Sequence, residues 1–225
     1  MYGFTEVDQG SLATYAVWKA DFLFAIPDSI KSEDAAPLMC GGATVFNVLQ
    51  LYGVRSTDRV GIVGVGGLGH LAIQFAAAMG CEVVAFSGTD SKKEESINLG
   101  AKEFYATKGL KELKIEPLDH LLVCTSVQPD WSMYLPIMAP SGTVYPLSVS
   151  SGDLKLPYMP VLLAGLKIQG SVVAARQIQR EMLAFAAVHH IQPIIERFPM
   201  NVQGVEQAFK RLEEGSMRYR GVIAV

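Results

Sequence analysis

Gly64, Gly66 and Gly69 stand in the run Arg59-Val-Gly-Ile-Val-Gly-Val-Gly-Gly-Leu-Gly-His70, and their spacing suits one task, holding a pyrophosphate on bare main-chain amides. Gly64 lets the chain turn sharply out of an apolar strand. Gly66 keeps a side chain out of the phosphate's way, and Gly69 lets the next helix lie close on the sheet. Gly67 and Leu68 complete the turn, where the free N–H groups of a helix start carry partial positive charge. Alone, GxGxxG is a weak signal. Its flanks strengthen it: an apolar strand Val60–Val63 before, a helix Leu68–Met79 behind, and a second apolar strand Val83–Phe86 after Gly80. Leu68, Leu71, Ala72, Phe75, Ala76 and Met79 fall on one helical stripe, so the whole is a βαβ unit.

The tip of the second strand selects the dinucleotide. Asp or Glu there usually accepts from a free ribose 2′-hydroxyl. Here the tip is Ser87-Gly-Thr-Asp-Ser-Lys-Lys93, two hydroxyls and two ammonium groups, which suit a 2′-phosphate better. The sequence therefore predicts NADP(H), contacted by Ser87, Thr89 and Lys92. Asp90 leaves room for dual specificity, and Lys92 with Lys93 is alternatively the solvated start of a helix Lys92–Leu99.

These residues need a scaffold, and the pattern around them supplies one. Strand-like segments at Val60–Val63, Val83–Phe86, Glu103–Tyr105, Leu121–Cys124, Thr143–Pro146 and Lys167–Gly170 alternate with helical ones at Leu68–Met79, Lys92–Leu99, Trp131–Met138 and Met159–Ala164. That alternation predicts an α/β fold, a Rossmann-type doubly wound parallel sheet covered on both faces. The ends differ. Residues 11–26 show partial alternation, predicting two short strands around a turn, and Ser32-Glu-Asp34 starts an acidic helix. Helices at Gln179–His189 and Val205–Glu214 alternate with strands at Ile194–Phe198 and Val222–Val225. The ends are expected to pack together as a second, incomplete domain. The predicted division is 1–41, 42–172 for dinucleotide binding, and 173–225.

At 225 residues and 50% hydrophobic content the chain can bury a sizeable core. A net charge of −3 gives no reason to expect nucleic acid or an anionic membrane as partner. No apolar window approaches a membrane span, the first residues lack a secretion signal, and Cys40, Cys81 and Cys124 form no CxxC pair. The expected location is cytoplasmic.

Four stretches together resemble the zinc-type medium-chain dehydrogenase/reductase family, and within it the NADP-dependent cinnamyl-alcohol-dehydrogenase-like branch. They are Ile26-Pro-Asp28 to Ala36-Pro-Leu-Met-Cys-Gly-Gly-Ala-Thr-Val45; the loop Gly64–His70; Leu156-Pro157 through Lys167-Ile-Gln-Gly-Ser171; and Arg218-Tyr-Arg-Gly-Val222. The resemblance implies hydride transfer between NADP(H) and a small-molecule alcohol or aldehyde, assisted by zinc in the complete family form. It places Cys40 as one zinc ligand and Ser148 and Val149 near the nicotinamide, with Thr44 within reach of that ring. It sets Gly170 and Ser171 toward the carboxamide and Arg220 near the pyrophosphate, and it implies a homodimer through the edges of the nucleotide-binding domain. Arg220 is alternatively a rim salt bridge, and Cys40 a small residue in a Gly-rich helix start.

The stretch that carries the family's two earlier zinc ligands has no counterpart in this sequence. The expectation is an N-terminally truncated form: a cofactor half with remnants of a GroES-like catalytic barrel, its zinc ligand set incomplete. Three readings stay open. The chain is an NADP(H)-dependent alcohol dehydrogenase or aldehyde reductase, a catalytically silent dinucleotide-binding fragment or isoform, or a zinc-free reductase. Its catalytic residues and substrate are not named by the sequence.

Overall fold

A computed structural model describes residues 10–150 and 152–225. In chain order the elements are α1 (Ser32–Pro37), α2 (Ala43–Leu51), β1 (Arg59–Val63), α3 (Gly69–Ala78), β2 (Glu82–Ser87), α4 (Lys93–Asn98), β3 (Glu103–Ala106), β4 (Leu118–Val123), α5 (Trp131–Tyr134), β5 (Met138–Pro146), α6 (Tyr158–Leu163), β6 (Lys167–Ile168), α7 (Arg176–Val188), β7 (Ile195–Pro199), α8 (Val202–Glu213) and β8 (Arg220–Ala224). A π-helical turn at Leu38–Gly42 joins α1 to α2.

The first six strands form one sheet in the order β3-β2-β1-β4-β5-β6, with every pairing parallel. The order reverses between β1 and β4, so a crevice opens there at the C-terminal ends of the strands, the place where doubly wound folds take ligands. Successive residues of β1 face opposite layers, as the period of two requires. Val60 and Ile62 join Phe46, Leu71, Phe75 and Met182 on one face, while Val63 meets Phe86, Leu121, Trp131 and Tyr134 on the other. The Rossmann-type α/β class predicted from the alternation is the fold observed.

Charged side chains fasten the opposite edge. Arg59 pairs with Glu82, donates through Nη2 to Glu103 Oε1 at 2.6 Å, and so ties β1 to β2 and β3. Beside it, buried Asp58 Oδ2 meets His120 Nε2 at 3.1 Å, and His120 Nδ1 meets the Tyr145 hydroxyl at 3.1 Å. Burial pushes the Asp58 pKa up, but hydrogen bonds from Arg55 and His120 outweigh it and hold the carboxyl below its usual value.

The ends depart from expectation in one respect. Residues 11–26 form no strand; they carry only a 3-10 turn at Ala20–Phe22 and stand almost wholly in solvent. Their alternation has no neighbouring strand among the described residues to satisfy it, and a pattern without a partner does not make a sheet. Residues 1–9, part of the expected 1–41 segment, lie outside the described residues. The helix expected over 131–138 ends at Tyr134 and tightens into a 3-10 turn at Leu135–Ile137, because Pro136 has no N–H to continue it. The C-terminal pattern proves to be β7 paired with β8 in a separate parallel sheet, flanked by α7 and α8. Leu12, Tyr15, Val17, Phe22, Phe209 and Leu212 leave apolar surface exposed on these end segments. Among the described residues no helix is long and apolar enough to cross a membrane.

Candidate functional site

The three spaced glycines have three different physical explanations. Gly64 leaves β1 at φ +92°, a left-handed conformation, and a Cβ there would meet Thr125 Cγ2 at 2.6 Å. Gly69 opens α3 so close to the strand that a Cβ would lie 1.8 Å from the Gly64 carbonyl oxygen. Gly66 is unlike both. A Cβ there would meet nothing within 4 Å, and its φ lies outside the left-handed range. Among the described residues nothing approaches a Cβ placed at position 66, so no contact within the fold explains glycine there. The amides of Gly66, Gly67 and Leu68 precede the first helical bond, His70 N to Gly66 O at 3.0 Å, and so face the crevice end of α3.

Residues distant in sequence hold this loop. Arg220, at the start of β8, donates through Nε to the Gly67 carbonyl at 3.1 Å, and its guanidinium leaves no room for a side chain at Gly67 or Gly41. Burial pulls its pKa down, with nearby Cys40 acting the other way; the group still stays charged. Tyr219 lays its ring against His70 at 4.9 Å and donates its hydroxyl to Glu95, which also takes Arg218 Nη2 at 2.7 Å. His70 itself is fixed in one tautomer. The Ile194 amide donates to its Nε2 at 3.1 Å, so Nδ1 carries the proton and donates to Gly66 O at 2.8 Å. Burial pushes its pKa down to about 4, leaving a neutral ring at pH 7.

Of the three contacts predicted at the second strand tip, Ser87 alone lines a cleft of about 290 Å3. Gly64, Ser87, Gly88, Thr107, Thr125 and Val127 are among its lining. Ser87 ends β2 as expected, its carbonyl held by Thr107 N at 2.7 Å. Thr89 lies beyond that lining, its hydroxyl bonded to Ser91 at 2.9 Å. Lys92 turns inward: its ammonium donates to Val65 O at 2.5 Å and lies 4.7 Å over the Tyr219 ring. Burial lowers its pKa, and Arg218 adds to the effect.

The residues implied for the nicotinamide end divide between two further hollows. Ser148 lines a cleft of about 220 Å3 between the ends of β4 and β5, and Val149 beside it is 94% exposed. Gly170 and Ser171 line another with Asn47 and Tyr52, where Asn47 Nδ2 donates to Ser171 Oγ at 2.9 Å. Thr44 is buried and its hydroxyl donates back to Cys40 O at 2.8 Å. The Cys40 side chain is exposed, and among the described residues no three His, Cys, Asp or Glu side chains gather into a possible metal site.

Sequence reasoning missed Asn47, Thr125, Gln128 and Tyr219 as members of this region. Tyr219 carried the only sequence signal, since it stands beside Arg220 in a stretch already singled out. The others act through contacts between segments far apart, which no local spacing announces.

Comparison with known proteins gives a concordant picture. A family model described as zinc-binding dehydrogenase matches residues 67–188. The chain is 36% identical over 206 residues to a probable formaldehyde dehydrogenase, AdhA, of Bacillus subtilis (strain 168), covering 91% of this chain and 58% of that protein. Among solved structures, a cinnamyl alcohol dehydrogenase of Sorghum bicolor superposes with a TM-score of 0.82 at 30% identity, covering 91% of this chain and 58% of that one. CAD from Helicobacter pylori, complexed with NADP(H), gives 0.79 at 28% identity, with 90% and 58% covered. The chain thus spans less than two thirds of the length of each.

Proposed function

This chain belongs to the zinc-binding dehydrogenase family, on its cinnamyl-alcohol-dehydrogenase-like side, and from that premise we propose that it binds NADP(H) at the C-terminal edge of its sheet. It would serve there as the cofactor-holding part of an alcohol dehydrogenase or aldehyde reductase. The observation that carries the proposal is Gly66, a glycine at the switch point that the fold itself does not need. The NADP(H) complex of the Helicobacter pylori relative supports the choice of cofactor.

In this reading the chain's own residues bind and orient. The amides of Gly66, Gly67, Leu68 and Gly69 face the pyrophosphate, with Arg220 as fixed positive charge behind them. Ser87 and Thr89 take the 2′-phosphate at the adenosine end, and Lys92 adds charge beside the loop it holds. Thr44, Ser148, Val149, Gly170 and Ser171 set the nicotinamide end. When bound, the nicotinamide supplies or accepts a hydride at a carbonyl or carbinol carbon. A catalytic zinc needs about three protein ligands and an open position. Cys40 alone does not meet that need among the described residues, so no step here passes through a metal.

A second reading of the same site is cofactor binding without turnover. The division at 42 and 172, a cytoplasmic location fitting three free thiols, and a homodimer through an edge of the six-stranded sheet belong to the same proposal. Titration of the chain with NADPH and NADH, followed by intrinsic fluorescence, tests it. Tighter binding of NADPH is expected; absence of affinity for either nucleotide overturns the proposal. Oxidation of bound NADPH on adding an aldehyde distinguishes turnover from silent binding.

A further inference from the structure

One side chain joins the segments that leave β4 and β5. Gln128 Oε1 accepts from the Trp131 indole Nε1 at 3.2 Å and from Lys155 N at 3.0 Å, and Gln128 Nε2 donates to Asp153 O at 2.5 Å. A carboxamide is required for this set. It offers an acceptor with two lone pairs beside a donor, whereas a carboxylate has no proton to give and a methyl has neither. Gln128 also lines both the 290 Å3 cleft at the adenosine end and the 220 Å3 cleft that holds Ser148. It stands where the two meet, anchored by Trp131, which is 6% exposed and packed into the core beneath.

We infer that Gln128 is a positioning residue for the nicotinamide half of the cofactor. The inference rests on the dinucleotide reading above and deepens it. By bonding Asp153 and Lys155 to the fixed edge of α5, Gln128 sets how far the segment after β5 stands from β4. That distance fixes where Ser148 and Val149 meet the ring. The adenosine half meets Gln128 only along the wall of the 290 Å3 cleft and is held chiefly by the glycine loop and the tip of β2, so it depends on those bonds far less.

The test compares two ligands on the whole chain: NADPH, and 2′-phospho-ADP-ribose, which has the adenosine half and pyrophosphate but no nicotinamide. In Q128A, NADPH affinity is expected to fall roughly tenfold, equivalent to about 1.4 kcal/mol, while 2′-phospho-ADP-ribose affinity stays within about twofold. Q128E turns a carboxylate oxygen on the Asp153 carbonyl in place of the donor, so its NADPH affinity should fall at least as far as that of Q128A, and wild-type affinity in Q128E also overturns the inference. In a W18F background Trp131 is the sole tryptophan, and its emission should shift in Q128A as the indole loses its partner. Unchanged NADPH affinity in Q128A, or equal weakening of both ligands, overturns the inference. Wild-type protein that binds neither ligand overturns the dinucleotide reading instead, a separate outcome.

Discussion

Adding the same methyl group at Gly66 and at Gly69 should have opposite consequences, and the contrast isolates what the loop is for. At Gly69 the new Cβ would overlap a backbone oxygen at 1.8 Å. The α3 start cannot yield without leaving the sheet, so Gly69→Ala should cost about 3 kcal/mol or more of folding stability. At Gly66 nothing lies within 4 Å, so Gly66→Ala should leave stability unchanged or raise it by up to about 1 kcal/mol through lost chain entropy. Its effect should fall on the ligand. A methyl that pushes the pyrophosphate off one or two amides forfeits charge-assisted bonds worth about 1.5 kcal/mol each, a 10- to 100-fold loss of NADPH affinity. Urea unfolding of both variants and fluorescence titration of Gly66→Ala measure the two quantities. A Gly66→Ala protein that binds NADPH like wild type, or that unfolds more easily by over 1 kcal/mol, would refute the reasoning.

The remaining predictions follow from the same geometry. His70 has its folded pKa depressed from 6.5 to about 4, so the folded state resists a proton that the unfolded chain accepts. Stability is therefore full above about pH 6.5 and declines as pH falls toward 4, by on the order of 3 kcal/mol; urea midpoints measured across that range should flatten in His70→Gln. Asp58→Ala leaves the Arg55 amide and the buried His120 ring without their partner at the far end of the strands and should cost about 2 kcal/mol while NADPH affinity stays within about twofold, so a large affinity loss would show that the two ends are coupled. Ser87→Asp places a carboxylate where the 2′-phosphate is proposed to sit. It should shift the NADPH/NADH affinity ratio at least about tenfold toward NADH; an unmoved ratio would place the 2′-phosphate elsewhere.

Much of the scaffold was legible because its signals are local. The glycine spacing, the stripe from Leu68 to Met79 and the apolar runs at β1 and β2 each reflect a period that a few residues reveal. α2 was legible only at its Gly-rich start. Ala43, Val45, Phe46, Val48 and Leu49 are all buried, and Thr44 and Asn47 on the remaining side are buried as well, so only Gln50 and Leu51 at its end stand exposed to mark its course. The partial alternation in residues 11–26 misled for the converse reason, since a strand exists only with a neighbour. The site divided along the same line. Ser87 could be placed from the end of its own strand, but His120 meets Asp58 across 62 residues and Arg220 meets Gly67 across 153. Side-chain direction also escaped the sequence. Lys92 was expected as a 2′-phosphate contact, and nothing in its own stretch announced that its ammonium would donate to the Val65 carbonyl.

The bond from Arg220 to Gly67 also sets an order of events during synthesis. β1, α3 and β2 leave the ribosome long before β8, and they can pair and bury their apolar faces as they emerge. The turn they build stays unbraced until the guanidinium and the neighbouring tyrosine arrive to clasp it. A nascent chain halted before Arg220 would lack this clasp on the Gly67 carbonyl, so the turn after β1 is braced only once β8 is in place.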